Sequence, residues 1–189
     1  LIPNISNTVS PMVAMARYIK DEDPKGKVVF IGPCMAKKGE MLSDWARDYV
    51  DYVLTFEEIF AMFDAKGVKF DAQEGEREGS AYGLGFAQSG GVAKAVIQII
   101  NEKKIENKVI PRSCSGATEC KKALTIANAG KLMENLIEGM ACEGGCIGGP
   151  GSITQTKIAR KNINKKVSSN FIDRITENVE RFGFDKIDL

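Results

Sequence analysis

The chain has 189 residues, with 26 basic side chains against 25 acidic ones and no histidine. That balance favours neither a nucleic-acid backbone nor an anionic membrane surface as a partner. Without histidine no imidazole can ligate a metal, and any proton carrier must be a carboxylate, Cys, Ser, Lys or water.

Ser10-Pro11 reads as an N-cap followed by the first residue of a helix, with Met12, Val13, Met15, Ala16 and Ile19 on its inner face. Lys27-Val-Val-Phe-Ile31 reads as a short buried strand, from whose carboxyl end Gly32-Pro33-Cys34 departs. Strand ends are where α/β proteins place ligands. Tyr52-Val-Leu54 is a second strand, and Thr55-Phe-Glu-Glu58 is a capping box opening a helix to about Lys66. Phe56, Ile59, Phe60 and Phe63 form the buried face of that helix.

A polar, glycine-rich connection holding Glu74, Glu76 and Glu78 runs from Gly67 to Gly91 and reads as a solvated loop. A helix over 92–103 follows, with Val92, Val96, Ile99 and Ile100 inward. Lys108-Val-Ile-Pro-Arg112 is the third strand, Cys114 to Cys120 lead into a helix through Ala127, and Asn135-Leu-Ile-Glu138 is the fourth strand. Residues 153–189 read as a lysine-rich helical tail of two amphipathic helices, the second using Phe171 and Ile172. Alternating strands and helices imply an α/β fold, with a parallel sheet of about four strands and right-handed crossovers. The length suits one domain, or two lobes of one domain.

The chain is organised around Glu138-Gly-Met-Ala-Cys-Glu-Gly-Gly-Cys-Ile-Gly-Gly-Pro-Gly151. Cys142 and Cys146 stand four residues apart, and five glycines fall between Gly144 and Gly151. Thiolates bind soft metals, and glycines let backbone N–H groups approach anionic sulfur, which together suit an iron–sulfur cluster. Upstream, Ile31-Gly-Pro-Cys-Met-Ala-Lys-Lys-Gly-Glu40 supplies Cys34. The two stretches resemble the second and third cluster-binding signatures of iron-only hydrogenases, worded close to Met-Pro-Cys-x-x-Lys-x-x-Glu and Glu-x-Met-Ala-Cys-x-x-Gly-Cys-x-x-Gly-Gly. Within that family the resemblance is to the C-terminal domain of the large subunit. It spans residues 1–189 and is weakest in the tail.

That resemblance implies, in the full-length parent only, a 4Fe-4S cube held in part by Cys34, Cys142 and Cys146, with Cys146 bridging to a two-iron unit carrying CO and CN ligands. It implies that Lys37 hydrogen-bonds a cyanide and that Met140 sits beside the two-iron unit. Glu40 and Ser6 would belong to the proton route, while Pro11, Gly32, Pro33 and Phe86 would line the cofactor pocket. The implied reaction is 2H⁺ + 2e⁻ ⇌ H₂. The fourth cube ligand is expected on an upstream Thr-Ser-Cys-Cys-Pro type segment of the same polypeptide. The other expected partners are ferredoxin-like electron-transfer domains or proteins.

Gly32 replaces the family's usual Met, and Gly149-Pro-Gly-Ser-Ile153 replaces its Gly-Gly-Gly-Gln-Pro ending. These departures point to a divergent or sensory-type branch. Three readings of the parent protein stay open: a hydrogen-converting enzyme, a hydrogenase-like sensor of H₂ or redox state, or an iron–sulfur protein of the cluster-assembly type. A structural zinc site using Cys114 or Cys120 is the competing metal reading. Otherwise those two cysteines are structural or redox-adjacent. The expected setting is a reducing cytoplasm, since five cysteines without disulfide-rich character read as free or metal-bound thiols. No apolar run approaches the roughly 20 residues of a membrane span.

Overall fold

Ser10 and Pro11 open the first helix as the sequence predicts. The Ser10 hydroxyl accepts the Val13 N–H at 3.5 Å, and Pro11 takes the first helical position, where its missing N–H is not needed. The computed structural model describes residues 1–70, 79–170 and 174–184. Glu74, Glu76, Glu78, Phe171 and Ile172 lie outside them. The chain divides into two units, each with its own small sheet.

The first unit comprises Ser6–Gly75, Gly149–Ile153 and Gly183–Leu189. Its described elements are α1 (Pro11–Glu22), β1 (Val29–Ile31), α2 (Ala36–Glu40), β2 (Tyr52–Leu54) and α3 (Phe56–Ala65). Met12, Val13 and Ala16 of α1 pack with Val28, Ala46, Val50 and Val53 into the core. Met15 and Ile19, expected on the same face, are 45% and 37% exposed, so the buried stripe is narrower than the apolar pattern. β1 pairs in parallel with β2, Phe30 opposite Val53. It is not the buried strand expected, because Val29 and Ile31 turn outward and only Phe30 is partly covered.

Asp51 ties the entrance of this sheet together, accepting from Lys20 at 2.9 Å, Lys27 at 2.8 Å and the Val28 N–H at 2.8 Å. Lys27 first, then the Val28 amide and Lys20, hold its carboxyl well below the usual carboxylate range. The capping box of α3 forms as read: Thr55 Oγ1 accepts the Glu58 N–H and Glu58 accepts the Thr55 N–H. The helix fully buries none of its side chains, however. Phe60 and Phe63 pack instead on each other and on Phe70, with ring centroids 5.2–6.2 Å apart.

The second unit comprises Leu1–Ile5, Glu76–Gly148 and Thr154–Phe182. It contains α4 (Ala81–Gly85), α5 (Gly91–Glu102), β3 (Pro111–Ser115), α6 (Ala117–Asn128), β4 (Leu136–Met140), α7 (Thr156–Ser168) and α8 (Ile175–Arg181). β3 and β4 run parallel through five registered pairs, from Pro111 opposite Leu136 to Ser115 opposite Met140. The parallel α/β character expected is present, but the four strands form two two-stranded sheets. The third strand lies three residues beyond the predicted 108–112, because pairing with β4 recruits polar Ser113 and Ser115 that no apolar pattern flags.

In α5 the fully buried positions are Gly91, Ala93 and Ala95, while Val92, Val96, Ile99 and Ile100 are only partly covered. The tail helices belong to this unit. Gln88 donates to Asn164 of α7 at 3.0 Å, and Glu102 caps α8 by accepting the Ile175 and Thr176 N–H groups at 2.9 and 2.8 Å. Burial alone would raise the Glu102 pKa, but the Thr176 and Ile175 donors outweigh it and hold the carboxyl at about 2. Among the described residues no helix is long and apolar enough to cross a membrane.

Candidate functional site

In the first unit the site residues gather where β1 ends. Gly32 extends the ladder by donating to the Leu54 carbonyl at 3.0 Å, and the chain then turns through Pro33 to Cys34. Cys34 is a half-buried free thiol. The Pro33 carbonyl accepts the N–H of Gly151 at 3.0 Å, so the segment five residues beyond Cys146 is fastened beside Cys34. A Cβ on Gly151 would stand 2.8 Å from Thr55 Cβ, which makes the close approach a glycine property.

α2 begins two residues after Cys34 and puts Lys37 and Glu40 one turn apart, in an ion pair with side chains 20% and 21% exposed. Lys38 turns elsewhere, to Glu58 at 2.8 Å and the Val53 carbonyl at 3.3 Å. Gly32 has a local physical reason: a Cβ there would lie 2.8 Å from the Phe30 ring. That ring edge is the far end of a rotatable side chain, so a larger residue at position 32 would require Phe30 to shift. Pro11 is exposed at the start of α1, and Ser6 is exposed and donates to Thr8 Oγ1 at 2.9 Å.

In the second unit β4 delivers the chain to Met140, whose carbonyl accepts the Gly116 N–H at 2.8 Å. The Cys142–Cys146 turn then closes on itself, with the Gly145 N–H on the Cys142 carbonyl at 3.1 Å. Three further bonds pin it: Ser89 N–H to the Gly144 carbonyl, Ile147 N–H to the Ala87 carbonyl (both 3.1 Å), and Gly144 N–H to Ser115 Oγ at 2.8 Å. Gly145 has φ +92°, and a Cβ on it would sit 2.5 Å from the Ser89 nitrogen. No side chain fits between the two backbones. Cys142 is half-buried and Cys146 exposed. Phe86 ends α4, immediately before the 87–89 segment that presses on this turn, and is half-buried.

Glu138 is the residue whose part the sequence does not announce. Only 7% exposed, it accepts from the Gly90 N–H at 3.0 Å, the Ala93 N–H at 3.2 Å and the Ser113 hydroxyl at 3.1 Å. A carboxylate on the first N–H groups of α5 complements the positive end of the helix dipole. It fixes Gly90, and so the 87–89 segment against which the cysteine turn rests. Its place at the head of the glycine-rich stretch is the only sequence signal it gives.

The structure thus brings Lys37 to Glu40 and Pro33 to Gly151 in one unit, and the Cys142–Cys146 turn to residues 87–89 in the other. Among the described residues no three Cys, Asp or Glu side chains gather into a ready-made metal site. The donor set still fits an iron–sulfur cube in kind: three cysteines outside any disulfide offer soft sulfur, two of them on a glycine-held turn.

Residues 1–150 match the family described as iron only hydrogenase large subunit, C-terminal domain, and the chain belongs to that family. Solved FeFe-hydrogenases resemble it in fold. One, from work on oxygen inactivation through modification and degradation of the H cluster 2Fe subcluster, superposes with TM-score 0.67 at 22% identity, over 98% of this chain and 66% of its own. Two forms of HydA1 from Chlamydomonas reinhardtii follow. A glutamate-to-alanine variant gives TM-score 0.55 at 21% identity, over 86% of this chain and 59% of its own. An apo cysteine-to-histidine variant gives 0.53 at 20%, over 86% and 58%. The chain therefore spans under two thirds of the length of these structures.

Proposed function

We propose that this chain is part of the H-cluster domain of an iron-only hydrogenase that interconverts protons, electrons and H₂. The observation that carries the reading is the Cys142–Cys146 turn, two thiols on a loop pinned to a neighbouring backbone through Gly144 and Gly145. Cys34, Cys142 and Cys146 would hold three corners of a 4Fe-4S cube, which takes four thiolates. Cys146 would also face the two-iron unit. Once bound, the clusters supply the electron and hydrogen chemistry, and the protein supplies ligation, exclusion of water and proton delivery. Lys37 offers an ammonium to an anionic ligand. Glu40, paired with Lys37, holds and passes a proton in a chain that has no histidine. Met140, Phe86 and Pro11 would wall the cofactor, with an upstream part of the polypeptide completing the ligands.

Gly32 favours a second reading, a hydrogenase-like sensor on a divergent branch, because it lacks the side chain that would otherwise pack on and tune the cofactor. The two readings separate in the longer parent protein, matured anaerobically. Glu40→Gln should leave the cluster spectrum intact while slowing hydrogen turnover by ~10²–10⁴, the range of a positioned proton carrier. Cys146→Ser should abolish the CO and CN infrared bands together with turnover. Unchanged turnover in Glu40→Gln removes that residue from the proton route. A wild-type parent that binds the clusters yet turns over no hydrogen favours the sensor.

A further inference from the structure

Cys114 and Cys120 take no part in the proposed cluster, yet the fold places them on one face of the second sheet. Side chains alternate across a strand, and those at registered positions of neighbouring parallel strands share a face. Ser113 and Glu138 are one registered pair, and both turn toward the start of α5, where they hydrogen-bond each other and Glu138 accepts from Gly90. The next pair, Cys114 and Gly139, therefore turns to the opposite face. That face carries α6, from which Cys120 Sγ reaches within 3.3 Å of the point where Gly139 would bear a Cβ. Cys114 stands one strand spacing from Gly139, about 4.8 Å, and Gly139 puts no side chain between the two sulfurs.

The surroundings differ for the two thiols. Cys114 is 2% exposed, and burial, then the nearby Cys120, push its thiol up while Arg112 beside it opposes them. Cys120 is half-buried and lines an open groove with Lys121, Leu124 and Ala141. A disulfide arriving from solvent meets Cys120 first. We propose that Cys114 and Cys120 form a reversible dithiol–disulfide site, entered through the groove beside α6, that exchanges with small disulfides of the glutathione type.

The exchange balances in two steps. Cys120, as thiolate, attacks one sulfur of the incoming disulfide; that S–S bond breaks, and one small thiol leaves carrying the proton Cys120 gave up. Cys114 then loses its proton and attacks Cys120 Sγ, closing the protein disulfide and releasing the second small thiol. Two protein thiols are oxidised and one small disulfide is reduced. Closure also removes the S–H that Cys120 directs at the Met140 carbonyl, 3.6 Å away. The proposal uses none of the three cluster cysteines and survives the failure of the iron–sulfur reading.

Both cysteines lie on one tryptic peptide, residues 113–121, which makes the test direct. The full chain, reduced and then equilibrated anaerobically at graded ratios of oxidised to reduced glutathione, is acid-quenched, alkylated with iodoacetamide and digested. The expected result is a peptide two hydrogens lighter than the dithiol, with at least about a tenfold loss of label that dithiothreitol reverses. Cys114→Ser should instead retain a glutathione adduct on Cys120. In urea, where α6 and β3 separate, closure should demand at least about a tenfold more oxidising ratio. Full labelling of both cysteines at every ratio overturns the proposal, as does a lasting adduct on wild-type Cys120 with Cys114 labelled. Identical closure in urea overturns it too, because the fold would then contribute nothing.

Discussion

The Cys34 turn and the Cys142–Cys146 turn carry the same kind of ligand and are built on different principles. Just after Cys34 the chain is held by charged side chains, Lys37 on Glu40 and Lys38 on Glu58, beside a backbone bond from Gly151 to Pro33. Around Cys142 and Cys146 it is held mainly backbone to backbone, with one bond to the Ser115 hydroxyl, and glycine is the residue that permits the approach. An ion pair that keeps contact with solvent, as Lys38–Glu58 does with side chains 33% and 44% exposed, contributes about 0–1 kcal/mol and tolerates rearrangement. Interlocked backbones do not. Helix α2, which follows the first turn, can therefore accept a new side chain that the glycines of the second must reject, while Gly151 beside Cys34 shares their constraint.

The strongest break in this contrast is Gly145→Ala. The added methyl would fall 2.5 Å from the Ser89 nitrogen and 2.8 Å from the Ala87 carbonyl, at φ +92°. Neither neighbour is a flexible side-chain end. The second unit should lose more than about 3 kcal/mol, read as accelerated hydrogen exchange at Ser89 and Ile147. Ordinary exchange at both amides would show that the turn can yield, and the contrast would collapse.

Glu138→Ala comes next and attacks the support rather than the turn. It leaves the buried Ala93 N–H and the half-buried Gly90 N–H without their acceptor, while the hydroxyl of exposed Ser113 can turn to water. The expected cost is about 2–3 kcal/mol, with Glu138→Gln, which keeps an oxygen acceptor, losing roughly half as much. Urea transitions of the three proteins check the order. Equal losses in Ala and Gln would mean that volume, not the carboxylate, holds α5 in place.

What is legible in the sequence is what local chemistry determines. The Ser10 cap needs only a hydroxyl before a proline, the Thr55–Glu58 box only two side chains three residues apart, and both form as read. The cysteine signatures are equally local, and they lead to the family. β3 falls beyond its expected place because Ser113-Cys114-Ser115 becomes strand only through its pairing with β4, a partner about 25 residues away. The short helices α2 and α4 carry glycines and no long apolar period, so no pattern marks them. Phe60 shows the converse: its helical spacing is genuine, but spacing cannot say what covers a face. In the sequence Glu138 is only a motif letter, and its three donors, from residues 90, 93 and 113, become visible only in three dimensions.

A smaller effect tests whether charge plays its part in the second unit away from the glycine turn. Glu102 holds the start of α8 with a pKa lowered to about 2 from an ordinary value of 4.5. A carboxyl lowered on folding contributes stability that is fully present above the unfolded value and lost as pH falls through the folded one. Protection of the Ile175 and Thr176 amides should therefore decline between about pH 4.5 and pH 2. Solvent screening limits the loss to the order of 1 kcal/mol. Glu102→Gln should weaken α8 at neutral pH and flatten that acid dependence. A profile with the same slope in the variant would assign the acid transition to another group.

The smallest effect has the opposite sign and sharpens the comparison most. Gly39 lies inside α2, between Lys37 and Glu40, and a Cβ there would meet nothing within 4 Å. Its backbone is not in the left-handed region, so alanine needs no unusual conformation. Gly39→Ala should stabilise α2 by about 0.5–1 kcal/mol, through helix propensity and the smaller entropy of the unfolded chain. It should also leave the Lys37–Glu40 pair in place, since both residues keep their positions on the turn. The same Gly→Ala change would then strengthen the helix that follows Cys34 and wreck the Cys142–Cys146 turn, which is the asymmetry expected of an ion-paired helix and a turn interlocked with a neighbouring backbone. Urea midpoints of the two variants measured side by side give the result. A destabilised Gly39→Ala protein would mean that α2 packs more tightly than its open surface shows, and that the dependence on glycine near Cys34 extends from Gly151 into α2.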